Sequence, residues 1–452
     1  MVAILNPADE TVIADIPFST IEQADDAIER AAAAFETWRH VSPGDRAMLL
    51  RRFATVIRDH AEELAQLEIR NAGHTVGNAR WEVGAVANML DYSSGFPERA
   101  FGRQIPVPGG IDITFLEPIG VVGMIVPWNF PMNIAAWGFA PALAAGCTVV
   151  LKPAETTPLS ALRLAELALE AGIPQGVLTV VPGEGPVIGE RFVTHPLVRK
   201  VVFTGSTKVG KRVMAGCADQ LKRVTLELGG KSANIVFADA DLERAAASAP
   251  GGVFDNAGQD CCARSRILVQ RSVFDRFLEL LEPAVRGFRC GNPNDPETQM
   301  GPLISRLQHD RVSAFVTDEA PIAFRGSCPD GPGFWFPPTV LTPTSRTDRT
   351  VTDEIFGPVV AVIPFDDEAD AAALANATIY GLSGSIWTRD IGKALRMSRA
   401  VESGNLSVNS NSSVRYWTPF GGFKQSGIGR ELGPDAMEAF TEVKNVFIDT
   451  TS

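Results

Sequence analysis

Cysteine and histidine are scarce in this 452-residue chain, six of the former and five of the latter, and no Cys-x-x-Cys pair occurs. The scattered Cys147, Cys217, Cys261, Cys262, Cys290 and Cys328 argue against a zinc site or a disulfide framework; no metal is expected, and a reducing cytoplasm fits best. Basic residues are also in deficit. The net charge of −12 argues against nucleic acid or an anionic membrane as a partner. A long unbroken apolar run is missing as well: the most apolar stretch, 119–151, is interrupted by Pro127, Asn129, Pro131, Asn133 and Pro141. It reads as buried strand, loop and helix instead of a membrane span. Met1 leads directly into Asn6-Pro7 with no basic n-region and no apolar h-region, so no secretory signal is expected.

What is present is ordinary for a globular chain, 45% hydrophobic and 21% charged. The length suits two or three domains of roughly 100–200 residues each. Thr20-x-x-Gln23 has the capping-box pattern and predicts a helix through Trp38. Residues 45–71 predict one long amphipathic helix stopped by Gly73, and 81–92 predict a third. Over 102–117 the character changes: Pro106, Pro108, Gly109-Gly110 and the alternation of Ile111, Ile113 and Phe115 predict a β-hairpin, either a plain edge or an oligomerisation arm.

From Gly120 the pattern becomes strand, loop, helix, repeated. Apolar runs at 121–126, 147–152, 178–181 and 200–203 alternate with helices such as 160–171, closed by Gly172. That alternation predicts an α/β doubly wound parallel sheet, with ligands beyond the carboxyl ends of its strands. A second domain of the same kind is predicted from 266–269, 359–363 and 385–387. The 326–332 loop is rich in glycine and proline.

Chemistry concentrates in Asn256-Ala-Gly-Gln-Asp-Cys-Cys-Ala263. A thiol there is either a small buried hydrophobe or a nucleophile, and the second reading needs an oxyanion donor, a base and an electron or acyl acceptor. Gly205 and Gly210, where a strand turns into a helix, suit phosphate binding at a helix N-terminus or a plain capped turn. Glu227, in an apolar run ending at Gly229-Gly230, either faces a cleft or forms a surface ion pair.

Seven motifs then stand in one order: Pro127-Trp-Asn-Phe-Pro131, Lys152-Pro-Ala-Glu155, Phe203-Thr-Gly-Ser206, Leu226-Glu-Leu-Gly-Gly-Lys231, Gly258-Gln-Asp-Cys261, Glu354-Ile-Phe-Gly-Pro358 and Pro419-Phe-Gly-Gly422. In order and spacing they resemble the aldehyde dehydrogenase superfamily over essentially the whole chain, most of all its shorter actinobacterial members. The resemblance implies an aldehyde dehydrogenase-like fold of two doubly wound domains with an arm. Residues 1–102 and 119–225 would form the NAD-binding Rossmann-like domain, 226–439 the catalytic domain, and 103–118 with 440–452 the oligomerisation arm. It further implies oxidation of an aldehyde to the acid, with Cys261 as nucleophile, Asn129 and the Cys261 N–H as oxyanion hole, and Glu227 as base for thioester hydrolysis. Pro127, Trp128, Lys152, Glu155, Gly205, Ser206, Glu354 and Phe356 match cofactor positions, Glu155 favouring NAD over NADP. A homodimer or homotetramer is implied, through arm strands that leave the body and pair across subunits.

Two departures stand out: Gly138 replaces a lysine that in the family works with the counterpart of Glu431, and Cys147 replaces an asparagine. Phe130, Ile134 and Trp137 share one helix face and, with Phe420, match the aldehyde tunnel; an ordinary core stripe is the alternative. Asp255 and Asp260 flank the nucleophile loop, and Arg415 reaches the mouth. This predicts a neutral aliphatic or aromatic aldehyde, or an aminoaldehyde, over a carboxylate-bearing one. The rivals are a CoA-acylating dehydrogenase, which Glu227 disfavours, and a non-catalytic structural or binding protein on the same fold.

Overall fold

The apolar runs that predict strands are buried on both faces, the condition for lying inside a parallel sheet covered by helices. Every residue of Val121–Ile125 and Thr148–Lys152 is buried in this computed structural model, which describes residues 1–412 and 414–451. These strands belong to a six-stranded sheet, ordered Gly427–Ile428, Arg223–Glu227, Val198–Thr204, Val121–Ile125, Thr148–Lys152, Leu178–Val180. All pairs are parallel except the Gly427–Ile428 edge, which returns from late in the chain to pair antiparallel with Leu226 and Glu227.

A seven-stranded sheet follows, ordered Ile322–Arg325, Thr339–Leu341, Val359–Phe365, Arg266–Gln270, Ala233–Val236, Ser383–Trp387, Asn405–Val408. It too is parallel apart from one edge, Ile322–Arg325. In the first sheet the chain winds outward from Val121–Ile125 and then returns to its other side at Val198–Thr204. The loops after these two strands therefore open a crevice at the switch point, and they carry Asn129 and Ser206.

Helices pack where their apolar stripes direct them. Helix α1 (Ile21–Trp38) starts at the expected capping box, Gln23 N donating to Thr20 Oγ1 and Thr20 N to Gln23 Oε1. The single helix expected over 45–71 is instead two, α2 (Pro43–Asp59) and α3 (Ala61–Ala72), broken at His60. The break lets two stripes, Phe53 with Ile57 and Leu64 with Ile69, turn separately onto α4 (Val76–Ser94). Helix α5 (Pro131–Ala145) is buried along its whole length and stops at Gly146, whose φ of 97° is the left-handed cap.

The predicted hairpin, Gln104–Val107 with Gly110–Pro118, gains a third strand from its own chain. Thr441–Asp449 pairs antiparallel along all of Gly110–Pro118. The two segments expected to pair across subunits thus pair first with each other, and the outer edges remain open. Ser452, the last residue assigned to the arm, lies outside the described residues. Among the described residues no helix is long and apolar enough to cross a membrane.

Candidate active site

Cys261 sits in a loop that the backbone holds by close approach. After helix Leu242–Phe254 the chain turns through Asn256 and Ala257, both left-handed at φ 50° and 55°. Buried Gln259 ties this turn down: its Nε2 donates to Asn256 O at 3.0 Å and its Oε1 accepts from Ile304 N at 2.8 Å. The paired glycines explain themselves here. A Cβ on Gly230 would lie 2.3 Å from the Cys261 carbonyl oxygen, and one on Gly229 would lie 2.3 Å from Glu354 Oε2. The Gly230 contact is with backbone and requires glycine, whereas a side chain at 229 would displace the Glu354 carboxyl.

The thiol rests in its protonated form. Hydrogen bonding with Cys262, then burial, then the charges of Cys262, Asp260 and Glu227 all push Cys261 well above the ordinary thiol range. Cys262 is 4% exposed and packs into the core beneath the loop, while also lining a cavity on the far side of Cys261.

Asn129 follows the strand Val121–Ile125 and is buried. Its Nδ2 donates to Gln259 O at 3.0 Å, which places the amide against the nucleophile loop. Its backbone oxygen accepts from His74 Nε2 and Asn256 Nδ2, each at 2.8 Å.

Glu227 ends strand Arg223–Glu227, buried, with neither carboxyl oxygen hydrogen-bonded. Burial first, and then the charge of Glu431, push its pKa well up, while Arg430 pulls the other way. Glu431 is a second buried carboxyl without a hydrogen-bond partner, raised by burial to about 7. Lys200 is the cation acting on it; its Nζ donates to Thr225 Oγ1 at 2.7 Å. A Cβ on Gly138 would lie 2.1 Å from Met124 Cε, so the methionine fills the space that a side chain at 138 would need.

A cavity of about 410 Å³ joins these groups to the expected cofactor positions. Pro127, Trp128, Gly205, Ser206, Glu354 and Phe356 line it together with Asn129, Glu227 and Cys261. Ser206 caps helix Thr207–Ala218, which brings a helix N-terminus to the wall of this cavity. Glu354, lifted to about 7 by burial, accepts from Gly230 N at 2.8 Å. Phe356, left-handed at φ 57°, stands edge-on to Trp128 with centroids 5.3 Å apart. Lys152 and Glu155 do not line this cavity: they lie at the end of the neighbouring strand, Lys152 Nζ 3.3 Å from Glu155 Oε1, which accepts from Gly185 N at 2.6 Å. Arg311 and Arg349 also line the cavity, and nothing in the sequence marked them. A helix N-terminus, two guanidinium groups and an acid partnered with a bare glycine fit a dinucleotide's phosphates and ribose.

On the other side of the thiol lies a second cavity of about 310 Å³. Phe130, Ile134, Trp137, Asp255 and Asp260 line it as expected, and Cys261 and Ile134 are shared with the first. Phe420 does not: it is 1% exposed and lies behind Trp137, ring centroids 4.9 Å apart, so its place is structural support of the wall. Asn78, Trp81 and Arg264 are lining residues the sequence did not indicate. Asn78 Nδ2 donates to Asp255 Oδ1 at 2.6 Å, and Asp260 Oδ1 accepts from Cys262 N at 2.8 Å. Arg415 lines an adjoining cavity with Trp81, Trp137, Tyr416 and Trp417.

Residues 1–446 match the model of the aldehyde dehydrogenase family. The chain is 41% identical to an aldehyde dehydrogenase of Emericella nidulans, over 98% of this chain and 90% of that protein. It is equally 41% identical to a phenylacetaldehyde dehydrogenase of Pseudomonas fluorescens, over 98% of this chain and 92% of the other. Among solved structures, the NAD+ complex of an aldehyde dehydrogenase from Bacillus cereus superimposes with a TM-score of 0.97 at 40% identity, covering 100% of this chain and 93% of that one. A betaine aldehyde dehydrogenase from Staphylococcus aureus, also with NAD+, gives 0.96 at 39% identity, covering 100% and 92%.

Proposed function

The chain belongs to the aldehyde dehydrogenase family, and on that premise we propose that it oxidises a neutral aldehyde to its carboxylic acid with NAD. The single observation that carries the reading is the place of Cys261 in the wall shared by two cavities, beside Asn129 and Glu227.

The thiol sulfur attacks the aldehyde carbon, and the carbonyl electron pair moves onto oxygen. Asn129 Nδ2 and the Cys261 N–H hold that oxyanion; one such donor is worth about 3–4 kcal/mol. Gly205, Ser206, Glu354 and Phe356, with Pro127 and Trp128 beside them, would hold NAD, which would supply the two-electron acceptor. The hydride leaves the tetrahedral carbon as the oxyanion's electron pair re-forms the carbonyl, and a thioester remains on Cys261. Glu227 then takes a proton from water as the water oxygen adds to the thioester, and the acid leaves as the sulfur regains its proton. Lys152 and Glu155 extend the cofactor site from the adjacent strand, where Glu155 disfavours a 2′-phosphate.

Support for the substrate class comes from Phe130, Trp81 and Trp137 with Asp255 and Asp260. The aromatic walls suit a neutral aliphatic or aryl aldehyde, as the phenylacetaldehyde relative does. Aromatic faces with two acids also admit an aminoaldehyde. Arg264 offsets part of the acidic field, so the bias against carboxylates is modest.

The division into 1–102 with 119–225 for NAD, 226–439 for catalysis, and 103–118 with 440–452 as arm is part of the same reading, supported by the separate six-, seven- and three-stranded sheets. Six unpaired cysteines support a cytoplasmic setting. The narrower likeness to short actinobacterial members rests on the motifs alone.

NADH formation from hexanal, benzaldehyde, an aminoaldehyde and succinate semialdehyde tests the proposal. The first three are expected to lead in kcat/KM, with NAD above NADP and no requirement for coenzyme A. A lead for the semialdehyde, or acyl-CoA as product, would displace it.

A further inference from the structure

Beneath the loop that carries Asn129 lies a set of ionisable side chains that this chemistry leaves unused. His74, in the turn between α3 and α4, is 1% exposed, and Glu68 of α3 and Glu82 of α4 are fully buried. His74 Nε2 lies 2.8 Å from the Asn129 backbone oxygen. Its Nδ1 lies 3.0 Å from Glu82 Oε2 and 3.9 Å from Glu68 Oε2. Glu82 Oε1 in turn accepts from Asn133 N at 2.9 Å, in the first turn of α5.

Nε2 donates to a carbonyl and Nδ1 stands at ion-pair distance from a carboxylate, with no hydrogen bond formed between them; two acceptor groups flanking the ring favour the imidazolium. Burial works against that charge, but the adjacent Glu82, and then Glu68, lift His74 to about 9. Glu68 is the farther acid and neither of its oxygens is hydrogen-bonded. Burial, then the charge of Glu82, raise it to about 8, so at pH 7 it holds its proton. The other neighbours of the ring, the Asn129 carbonyl and the Phe130 ring at 5.4 Å, are uncharged.

We infer that His74 is a positioning residue: as an imidazolium seated between Glu68 and Glu82, it fixes the Asn129 backbone and thereby aims Asn129 Nδ2 at the reacting oxygen. The inference rests on the reading of Asn129 as oxyanion donor. Asn256 Nδ2 holds the same carbonyl from the nucleophile turn, so losing His74 leaves Asn129 anchored on one side only. The Glu82 contact to Asn133 carries the same support into α5, whose first turn also presents Ile134 to the cavity.

His74→Gln and His74→Lys in the full-length enzyme test this. In His74→Gln, kcat should fall about a hundredfold, the scale of a small misplacement at a reacting centre, while NAD affinity stays unchanged. His74→Lys returns a cation to the same site and should recover most of kcat. Its turnover should also persist to higher pH than the wild type, whose kcat declines above about 9 as the ring deprotonates. Wild-type kcat in His74→Gln, or a high-pH limb unmoved in His74→Lys, would overturn the inference, the second result being decisive even where His74→Gln does not fold. So would a stoichiometric divalent metal in the purified enzyme, because an ion among the three side chains would replace the proton. A wild type that forms no NADH from any aldehyde refutes the dehydrogenase reading, whereas an active wild type with indifferent His74 variants refutes only the role of His74.

Discussion

Asn129 and Gln259 are joined by a 3.0 Å hydrogen bond from the side-chain amide of one to the backbone carbonyl of the other. The two residues are 130 apart in the chain, and the bond locks the crevice of the first sheet to the nucleophile loop of the second. On the proposal that Asn129 is the oxyanion donor, its amide is the group that the Gln259 carbonyl now engages. Asn129→Ala is expected to lower kcat by about a hundred- to a thousandfold, the loss typical of one oxyanion donor, with NAD binding retained. Steady-state kinetics with cofactor titration checks it, and an undiminished kcat would remove Asn129 from the mechanism.

The two cysteines should separate cleanly. Cys261→Ala is expected to abolish turnover while NAD still binds, because Cys261 is the thiol facing both cavities. Cys262 is 4% exposed in the core, so Cys262→Ala should keep turnover within about tenfold and lose stability by the modest amount typical of a small core truncation. Equal loss in both folded variants would reverse the assignment.

Glu227→Gln should give a first-turnover burst of NADH and then stall as acyl-enzyme accumulates. In the wild type the base acts as a carboxylate, and its pKa is raised well above 4.5. Steady-state turnover should therefore rise with pH above that value, and the variant should lack this limb. Rapid-mixing absorbance decides; a missing burst with normal NAD binding would move Glu227 to thiol activation.

Glu431 makes a stability prediction. Its folded-state pKa, about 7, exceeds the ordinary 4.5 because the carboxyl is buried without a hydrogen-bond partner. The folded state then binds more protons than the unfolded one between these values. The stabilisation from Glu431 is complete below about pH 4.5 and is lost as pH rises through about 7, on the order of 3 kcal/mol. Glu431→Gln should flatten that part of the decline in denaturant unfolding of the cofactor-free protein. A slope identical to wild type would show that the buried acid is compensated elsewhere.

The arm should be an interface. Phe115, Val443 and Phe447 stand 45%, 67% and 50% exposed on a three-stranded sheet with open edges. Light scattering is expected to return a dimer or tetramer of the 48.4 kDa chain, inseparable at assay concentration if more than roughly 2,000 Å² is buried. Val443→Asp with Phe447→Asp should dissociate it. A fully active wild-type monomer would sink the proposal.

By itself the sequence determined what depends on neighbours in the chain. The capping box at Thr20, the buried strands 121–125 and 148–152, the hairpin, and the seven motifs that name the chemistry are local patterns of period, turn and cap. Cys261, Glu227 and Asn129 could be proposed from the sequence because each stands in a short motif with a distinct composition. Tertiary structure alone decided what depends on packing at long range. Residues 45–71 are continuous in helical period, yet they break at His60, and the stripes on either side of the break both pack against α4. Phe420 reads like a tunnel residue, yet the ring of Trp137 stands in front of it. Arg264, Arg311, Arg349 and Trp81 reach the cavities from segments with no local signal. Gly229 and Gly230 look like a turn, but they are bare because Glu354 and the Cys261 carbonyl need the space a Cβ would fill. Charge burial is decided in the same way. Whether Glu68, Glu82, Glu227 or Glu431 is solvated or sealed depends on which helix or strand covers it, and that is a property of the assembled fold.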